Sequence, residues 1–476
     1  MRTSRFYGTT WILVLIANVF LWGCGGSRET SDVSQGEATV EFTIEWPSSR
    51  VIPTDTQTIK VWVSGVGINT PVLKTYRRPT NSPPRGTAVL TVPAGPQRLF
   101  CAAAFDAKEN CIAFGNAAAD LSPGERKTLI IDMQRTPTGP SSGDTYQDPE
   151  EVGWKYGVQV IADPDNPLEG VAVLTIGGNG ADSLTPDKFR VQQTVQVGSA
   201  SSAITVYPSQ FSGGGSRKGK VDIAFVLDTT GSMDEEMAGV RDSVRNFASI
   251  LADSGLNIRL AAITFGDEIR ERLDFTNNVE QFRSFVAELR AYGGGDNPEI
   301  GLDGVLAAHT QLRWRDDAEK FIVVVTDATA HQRGDGTSFS RVTAQEVIES
   351  LRGKYVVHVV SPRNPGRSRL YKAYQQDDAA KGSYTSPNLR SRAETEPYDM
   401  KNLAPALGGI WIELPETGDF DLVDLGITDV IRNTYTFNFP RALWWDSPDR
   451  PWVRLLIFVQ HNNRNWVVFR VGVRSP

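Results

Sequence analysis

Histidine and cysteine are scarce in this chain, with four His and three Cys in 476 residues. No two of them are spaced as a zinc-ligand pair, which excludes the usual structural and catalytic zinc sites. Charge of one sign is also lacking: 49 basic residues against 56 acidic ones leave a net charge of −7. That balance gives no support to nucleic-acid binding, which shows as a strongly basic surface. No G-x-S-x-G elbow, H-E-x-x-H pair or phosphate-binding Walker loop occurs, so the expectation is a protein that is not an enzyme. Apolar content of 40% excludes wholesale disorder. The length implies two to four domains.

The N-terminus has the pattern of an export signal. Arg2 and Arg5 supply positive charge, and Trp11 to Trp22 is apolar except for Asn18. This run is shorter than the roughly 20 residues a spanning helix needs. Leu21-Trp22-Gly23-Cys24 resembles a bacterial lipobox, with Trp22 where a small residue is usual. The resemblance implies a signal peptide over 1–24 and a lipid on Cys24. A membrane anchor at the cell envelope follows; plain secretion and an uncleaved anchor are the alternatives. Residues 25–36 are small and polar, as in a flexible tether. Cys101 and Cys111 flank a turn-like stretch, and an exported context permits a disulfide between them. Two separate buried thiols are the equal alternative.

Short alternating runs such as Thr39–Ile44, Ile59–Val63 and Ala88–Val92 predict a β-sandwich over 37–135. A Pro/Gly/Ser/Asp-rich linker covers 136–151, and a second β-rich segment covers 152–212. From residue 220 to 433 buried strands (Val221–Leu227, Ile258–Phe265, Phe321–Thr326, Tyr355–Val360) alternate with helical spacing, as in Met237, Val240, Val244 and Phe247. That order predicts an α/β fold with a doubly wound, mostly parallel sheet, flanked by all-β modules. A C-terminal β-hairpin segment, 434–476, is expected to return to a β module, as one sheet shared with 152–211. Its tryptophans (Trp444, Trp445, Trp452, Trp466) are read as core in preference to a binding platform.

In doubly wound sheets, ligands sit beyond the carboxyl ends of the strands. Three separate loops deliver oxygen donors there: Asp228-Thr229-Thr230-Gly231-Ser232, Asp296-Asn297-Pro298-Glu299 and Thr326-Asp327. Carboxylates and hydroxyls without His or Cys suit Mg²⁺, with Mn²⁺ or Ca²⁺ as alternatives. Two like charges ~5 Å apart repel by about 3 kcal/mol even at an effective dielectric of 20, and a bound dication removes that conflict. Asp228, Thr230 and Ser232 also have the residue types of a helix N-cap, a reading that needs no metal.

Asp228-x-Thr230-Gly-Ser232 resembles the metal-ion-dependent adhesion motif of von Willebrand factor A (VWA) domains. Gly295–Glu299 and Thr326–His331, followed by Gly334-Asp335-Gly336, are similar to the inserted domain of integrin β subunits. The resemblance covers about residues 220–433. It implies that Asp228, Thr230, Ser232 and Glu299 are metal ligands and that Asp327 binds through a water. It also implies possible flanking metal sites at Asp296 and at Glu235 and Glu236, with Gly294 where the family has an Asn. Glu235 and Glu236 read first as an acidic pair favoured in the first turn of a helix, ahead of the metal-site reading. His331 is expected to be packed or solvent-facing.

The functional expectation is a divalent-cation-dependent protein-binding module. The partner is a protein that presents an acidic residue, whose carboxylate completes the cation's coordination. A structural component whose metal only stabilises the domain is the alternative. The basic stretch within 361–398 (Arg363, Arg367, Arg369, Lys372, Lys381, Arg390, Arg392) either shapes the choice of partner or is a solvated loop.

Overall fold

Strand periodicity organises the N-terminal part of the computed structural model, which describes residues 36–45, 54–78, 87–137, 143–181, 184–197, 200–213, 220–252, 257–294, 298–365, 397–415, 427–443, 454–462 and 464–471. The signal-peptide and lipidation readings, Cys24 included, lie outside the described residues, as do Trp444, Trp445 and Trp452. No helix among the described residues is long and apolar enough to cross a membrane.

Eight strands come first: β1 (Glu37–Glu45), β2 (Thr58–Ser64), β3 (Val72–Arg77), β4 (Thr87–Pro93), β5 (Gly95–Phe105), β6 (Cys111–Leu121), β7 (Arg126–Asp132) and β8 (Gln134–Arg135). They form a three-stranded sheet, β4-β1-β7, and a five-stranded sheet, β3-β2-β5-β6-β8. Alternate residues (Val40, Val61, Val63, Leu90, Val92, Phe100, Ala102) share a core. β5 is apolar without interruption from Leu99 to Phe105 because both of its faces are covered. Its second face (Leu99, Cys101, Ala103, Phe105) joins Trp62 and Phe114 in a core shared with the next β module. Polar bonds cross there: the Trp62 indole donates to the Ala442 carbonyl at 2.7 Å, and the Asn116 amide donates to the carbonyls of Leu168 and Arg441.

The disulfide alternative is corrected here. Cys101 pairs with Asn116 and Cys111 with Phe105, so the two cysteines stand four residues apart along neighbouring strands. At about 3.3 Å per residue the gap is roughly 13 Å, beyond the ~7 Å a disulfide can bridge. Both are free thiols. Burial raises both, Cys101 well above its ordinary range and Cys111 to about 12.

Six more strands follow: β9 (Thr145–Gln147), β10 (Lys155–Ala162), β11 (Glu169–Gly177), β12 (Phe189–Val197), β13 (Ala200–Val206) and β14 (Ser209–Gly213). The α/β region then runs β15 (Lys220–Asp228), α1 (Asp234–Ala252), β16 (Asn257–Phe265), β17 (Ile269–Thr276), α2 (Val279–Glu288), α3 (Gly301–Gln311), β18 (Glu319–Val325), α4 (Ala344–Leu351), β19 (Val356–Ser361), α5 (Leu403–Ala406), β20 (Trp411–Glu413) and α6 (Ile427–Arg432). Its sheet order is β17-β16-β15-β18-β19-β20, parallel throughout except at β17. Ile223, Phe225 and Leu227 face α1 and α2, packing with Val244, Phe247 and Phe282. Ala224 and Val226 face α3 and α4, packing with Leu302, Val305 and Val347. This is the VWA-like, doubly wound arrangement with flanking β modules.

The chain then returns through β21 (Thr434–Pro440), β22 (Arg454–Asn462) and β23 (Asn465–Val471). β21 lies between β11 and β14, and β22 and β23 lie between β12 and β9. The return therefore completes two sheets and not the single sheet expected, and the α/β region is an insertion between β14 and β21. The contact between them is close. A Cβ on Gly157 of β10 would lie 2.3 Å from the Gly409 carbonyl, and the Gln159 side chain accepts from Gly353 N at 3.0 Å. Gly353 and Gly409 precede β19 and β20, so the β module covers the amino ends of the strands. The carboxyl ends are left to the site.

Candidate metal centre

Two short loops follow β15 and β18 at the carboxyl edge of the sheet, and their side chains meet. Asp228 ends β15 fully buried. Its Oδ1 accepts from Thr230 N at 2.9 Å and from the Thr230 hydroxyl at 2.6 Å. The Thr230 and Ser232 hydroxyls lie 3.1 Å apart, and Ser232 donates to Asp327 Oδ1 at 3.0 Å. Asp228, Thr230, Ser232 and Asp327 are thus one contiguous cluster of hard oxygen donors.

Glu299 reaches this cluster from the loop before α3. Its Oε1 and the Thr230 Cβ each lie 3.1 Å from the point a Cβ on Gly294 would occupy. Gly294 has φ +85°, a conformation that disfavours any side chain, and lacking one it leaves room for the carboxylate. Backbone bonds fix the loops to each other: Gly231 N to Gly293 O, Glu299 N to Thr329 O, His331 N to Glu299 O, and a reciprocal pair between Ala330 and Tyr398.

The electrostatics are those of crowded, buried carboxylates. Asp228, Glu299 and Asp327 are each at most 5% exposed. Burial pushes Asp228 above the ordinary carboxylate range, against its hydrogen bonds from Thr230 and Thr326. Asp327 rises to about 7, first through burial and then through the charge of Asp228, with Glu236 adding to it. Among the described residues no three acidic, histidine or cysteine side chains converge as a complete ligand set by themselves. The hydroxyls of Thr230 and Ser232 complete the cluster, since a hydroxyl that donates its proton still offers lone pairs. The donor chemistry fits a hard dication.

The predicted residues divide as follows. Asp228, Thr230, Ser232, Glu299 and Asp327 come together. Glu236 is near enough for its charge to act on Asp327. The Glu235 side chain and all of Asp296 lie outside the described residues. Thr230 precedes the turn into α1 but makes no side-chain cap bond, so the N-cap reading does not account for it. His331 is packed: 1% exposed, with Nδ1 2.6 Å from Asp335 Oδ2 and its ring stacked on Phe339.

The Thr326 hydroxyl, among the oxygen donors read from the sequence, donates to Asp228 Oδ2 at 2.6 Å. One contributor escaped that reading. Arg270, on the unforeseen strand β17, hydrogen-bonds the Thr229 carbonyl and hydroxyl, and its charge lowers Asp228.

The family model for the von Willebrand factor A domain matches residues 222–386. The alpha-protein kinase vwkA of Dictyostelium discoideum is 29% identical over 118 residues, which is 23% of this chain and 19% of that protein. Integrin beta-PS of Drosophila melanogaster is 24% identical over 144 residues, 24% of this chain and 17% of that protein. The chain thus spans less than a fifth of the length of these curated relatives. A solved von Willebrand factor type A protein from Catenulispora acidiphila is 10% identical, covering 70% of this chain and 73% of its own at a TM-score of 0.30, a likeness too small to argue from. The chain carries a von Willebrand factor A domain with similarity to integrin β subunits.

Proposed function

We propose that this von Willebrand factor A domain binds a divalent cation, Mg²⁺ first, and uses it to hold a protein partner through an acidic side chain. Asp228, Thr230, Ser232 and Glu299 would hold the ion, with Asp327 behind Ser232. The observation that carries the reading is the hydrogen-bonded cluster of Asp228, Thr230, Ser232 and Asp327 with Glu299 against it. The buried carboxylates of Asp228 and Asp327 act on each other, a cost that a cation offsets. The bound ion supplies a positively charged coordination point. The chain's own residues fix its position and leave the partly exposed Ser232 at the mouth. The proposal includes no catalysis. It extends to an integrin-β-like variant of the domain, displayed on a cell envelope through lipid on Cys24.

A second reading rests on the same burial. Carboxylates at most 5% exposed, tied by backbone bonds across three loops, also describe a metal that only stiffens a scaffold. Calorimetry with Mg²⁺, Mn²⁺ and Ca²⁺, followed by pull-down from envelope extract with and without chelator, separates the two. Binding of both metal and partner that is lost in Asp228→Ala supports the first. Metal binding with complexes that survive chelation supports the second. Silence for all three metals removes both.

A further inference from the structure

We propose that Arg270 is a positioning residue of the donor cluster: its guanidinium, seated over Gly266, clamps the loop that carries Asp228, Thr230 and Ser232 to the segment that ends at Gly294. The inference rests on the function proposed above and adds to it the side chain that holds two of the donor loops in register.

Arg270 stands at the start of β17, directly after the turn 266–268 that joins it to β16. Its Nη1 donates to the Thr229 carbonyl and, at 3.1 Å, to the Thr229 hydroxyl. Thr229 lies between Asp228 and Thr230, so these bonds fix the backbone from which two of the donors extend. The same guanidinium lies 4.2 Å from the Tyr292 ring centroid, a cation–π contact with the second loop. Tyr292 N in turn donates to the Thr229 carbonyl at 3.0 Å, so Arg270 grips the very oxygen at which the two loops meet. One step further along, Gly231 N donates to Gly293 O at 2.8 Å, next to the Gly294 against which Glu299 Oε1 lies.

Gly266 makes the seat. A Cβ there would lie 2.3 Å from Arg270 Nη2 and 2.5 Å from Cζ, far inside contact distance. Gly266 is buried and has no left-handed φ, so the room that the guanidinium needs accounts for this glycine and its backbone conformation does not. The Gly266 carbonyl also accepts from Ile300 N at 3.1 Å, which ties the residue after Glu299 to the same turn.

An ordinary ion pair does not account for Arg270. Among the described residues no carboxylate pairs with it, and its hydrogen bonds go to the neutral oxygens of one residue. A planar guanidinium can hold two acceptors at its edge while its flat face lies against a ring. A lysine ammonium carries the same charge without the flat face or the fixed donor geometry, so Arg270→Lys separates the clamp from the charge.

The test compares Arg270→Lys and Gly266→Ala, singly and together, in the full-length chain. Gly266→Ala changes neither Arg270 nor any donor, yet its methyl group displaces the guanidinium, the flexible end of a long side chain. Hydrogen exchange of the metal-free proteins is the first readout. The Tyr292 and Gly231 amides, which bond across the two loops, are expected to exchange about tenfold faster in each single variant, with wild-type protection kept in β15, β16 and β18. Calorimetric Mg²⁺ affinity is the second: about tenfold weaker in each single variant and no weaker in the double, because both changes remove one clamp. Two independent losses would instead multiply to about a hundredfold. Wild-type exchange at Tyr292 and Gly231 in either variant, protection lost across the whole sheet, or multiplied losses in the double variant overturns the inference. A wild-type chain that binds none of Mg²⁺, Mn²⁺ and Ca²⁺ overturns instead the cation-dependent function, and the metal-free exchange still decides the clamp.

Discussion

Acidification is expected to weaken Mg²⁺ binding, with Asp327 setting the least loss and Asp228, also raised by burial, adding to it. The Asp327 carboxyl is buried beside Asp228 within reach of the Glu236 charge, and it titrates at about 7 against an ordinary 3.8. A dication takes the ionised form, so below pH 7 binding must expel a proton. The apparent dissociation constant then scales roughly as one plus ten to the power of 7 minus pH: ~100-fold weaker at pH 5, ~10-fold at pH 6 and near its limit at pH 8. Calorimetry in two buffers of different ionisation enthalpy counts the proton: about 0.9 released per ion at pH 6 and about 0.1 at pH 8. Stability of the metal-free chain carries the same signature. The folded-state value lies above the unfolded one, so the native state holds a proton that the unfolded chain has lost between about pH 4 and 7. Metal-free stability therefore falls as pH rises through that window and levels off above it. At 1.36 kcal/mol per pK unit the full drop is roughly 4 kcal/mol. Flat affinity from pH 5.5 to 8 with no proton release would refute the reasoning.

Asp228→Asn keeps the hydrogen-bonded size of the side chain but removes its charge. Calorimetric Mg²⁺ binding is expected to fall by about 100-fold while circular dichroism stays native. At the opposite end of β15, buried Asp222 is bonded by Arg259 and Arg315, whose guanidiniums hold it below the usual carboxylate range despite its burial. Asp222→Ala leaves two part-buried cations facing each other, and urea unfolding is expected to show a loss of about 3–5 kcal/mol. Gly157→Val would drive a side chain into the Gly409 carbonyl, so limited proteolysis is expected to cut at the contact between the β module and the α/β region, with Mg²⁺ affinity retained. Peptide mapping without reductant is expected to recover Cys101 and Cys111 unlinked, with Cys101 the slower to alkylate because it is fully buried.

The α/β sheet was legible because its strands are buried on both faces and read as unbroken apolar runs such as Val323–Val325. Strand β17 was not, since Ile269–Thr276 is a half-exposed edge with charges at four of its eight positions, and polarity there hides a strand. A helix was expected to lead on from Asp296–Glu299, and α3 follows there despite Gly301 and Gly304, poor helix formers; Gly304 is kept because a Cβ there would press to 3.0–3.1 Å on Val226 and Phe265. The shared core of the two β modules was foreshadowed only by the continuous apolar run Leu99–Phe105, which does not say what covers the second face.

The sequence by itself determined the fold class and which loops carry oxygen donors, because strand ends and residue chemistry are local properties of the chain. Tertiary structure alone decided that Ser232 meets Asp327 across 95 residues and that Thr326 closes on Asp228. It also decided that Arg270 stands behind both, that the cysteines miss each other by four positions of register, and that the α/β region sits inside a β module begun before it and finished after it. Those outcomes depend on strand order and register, which are set by the packing of distant segments and by no local pattern.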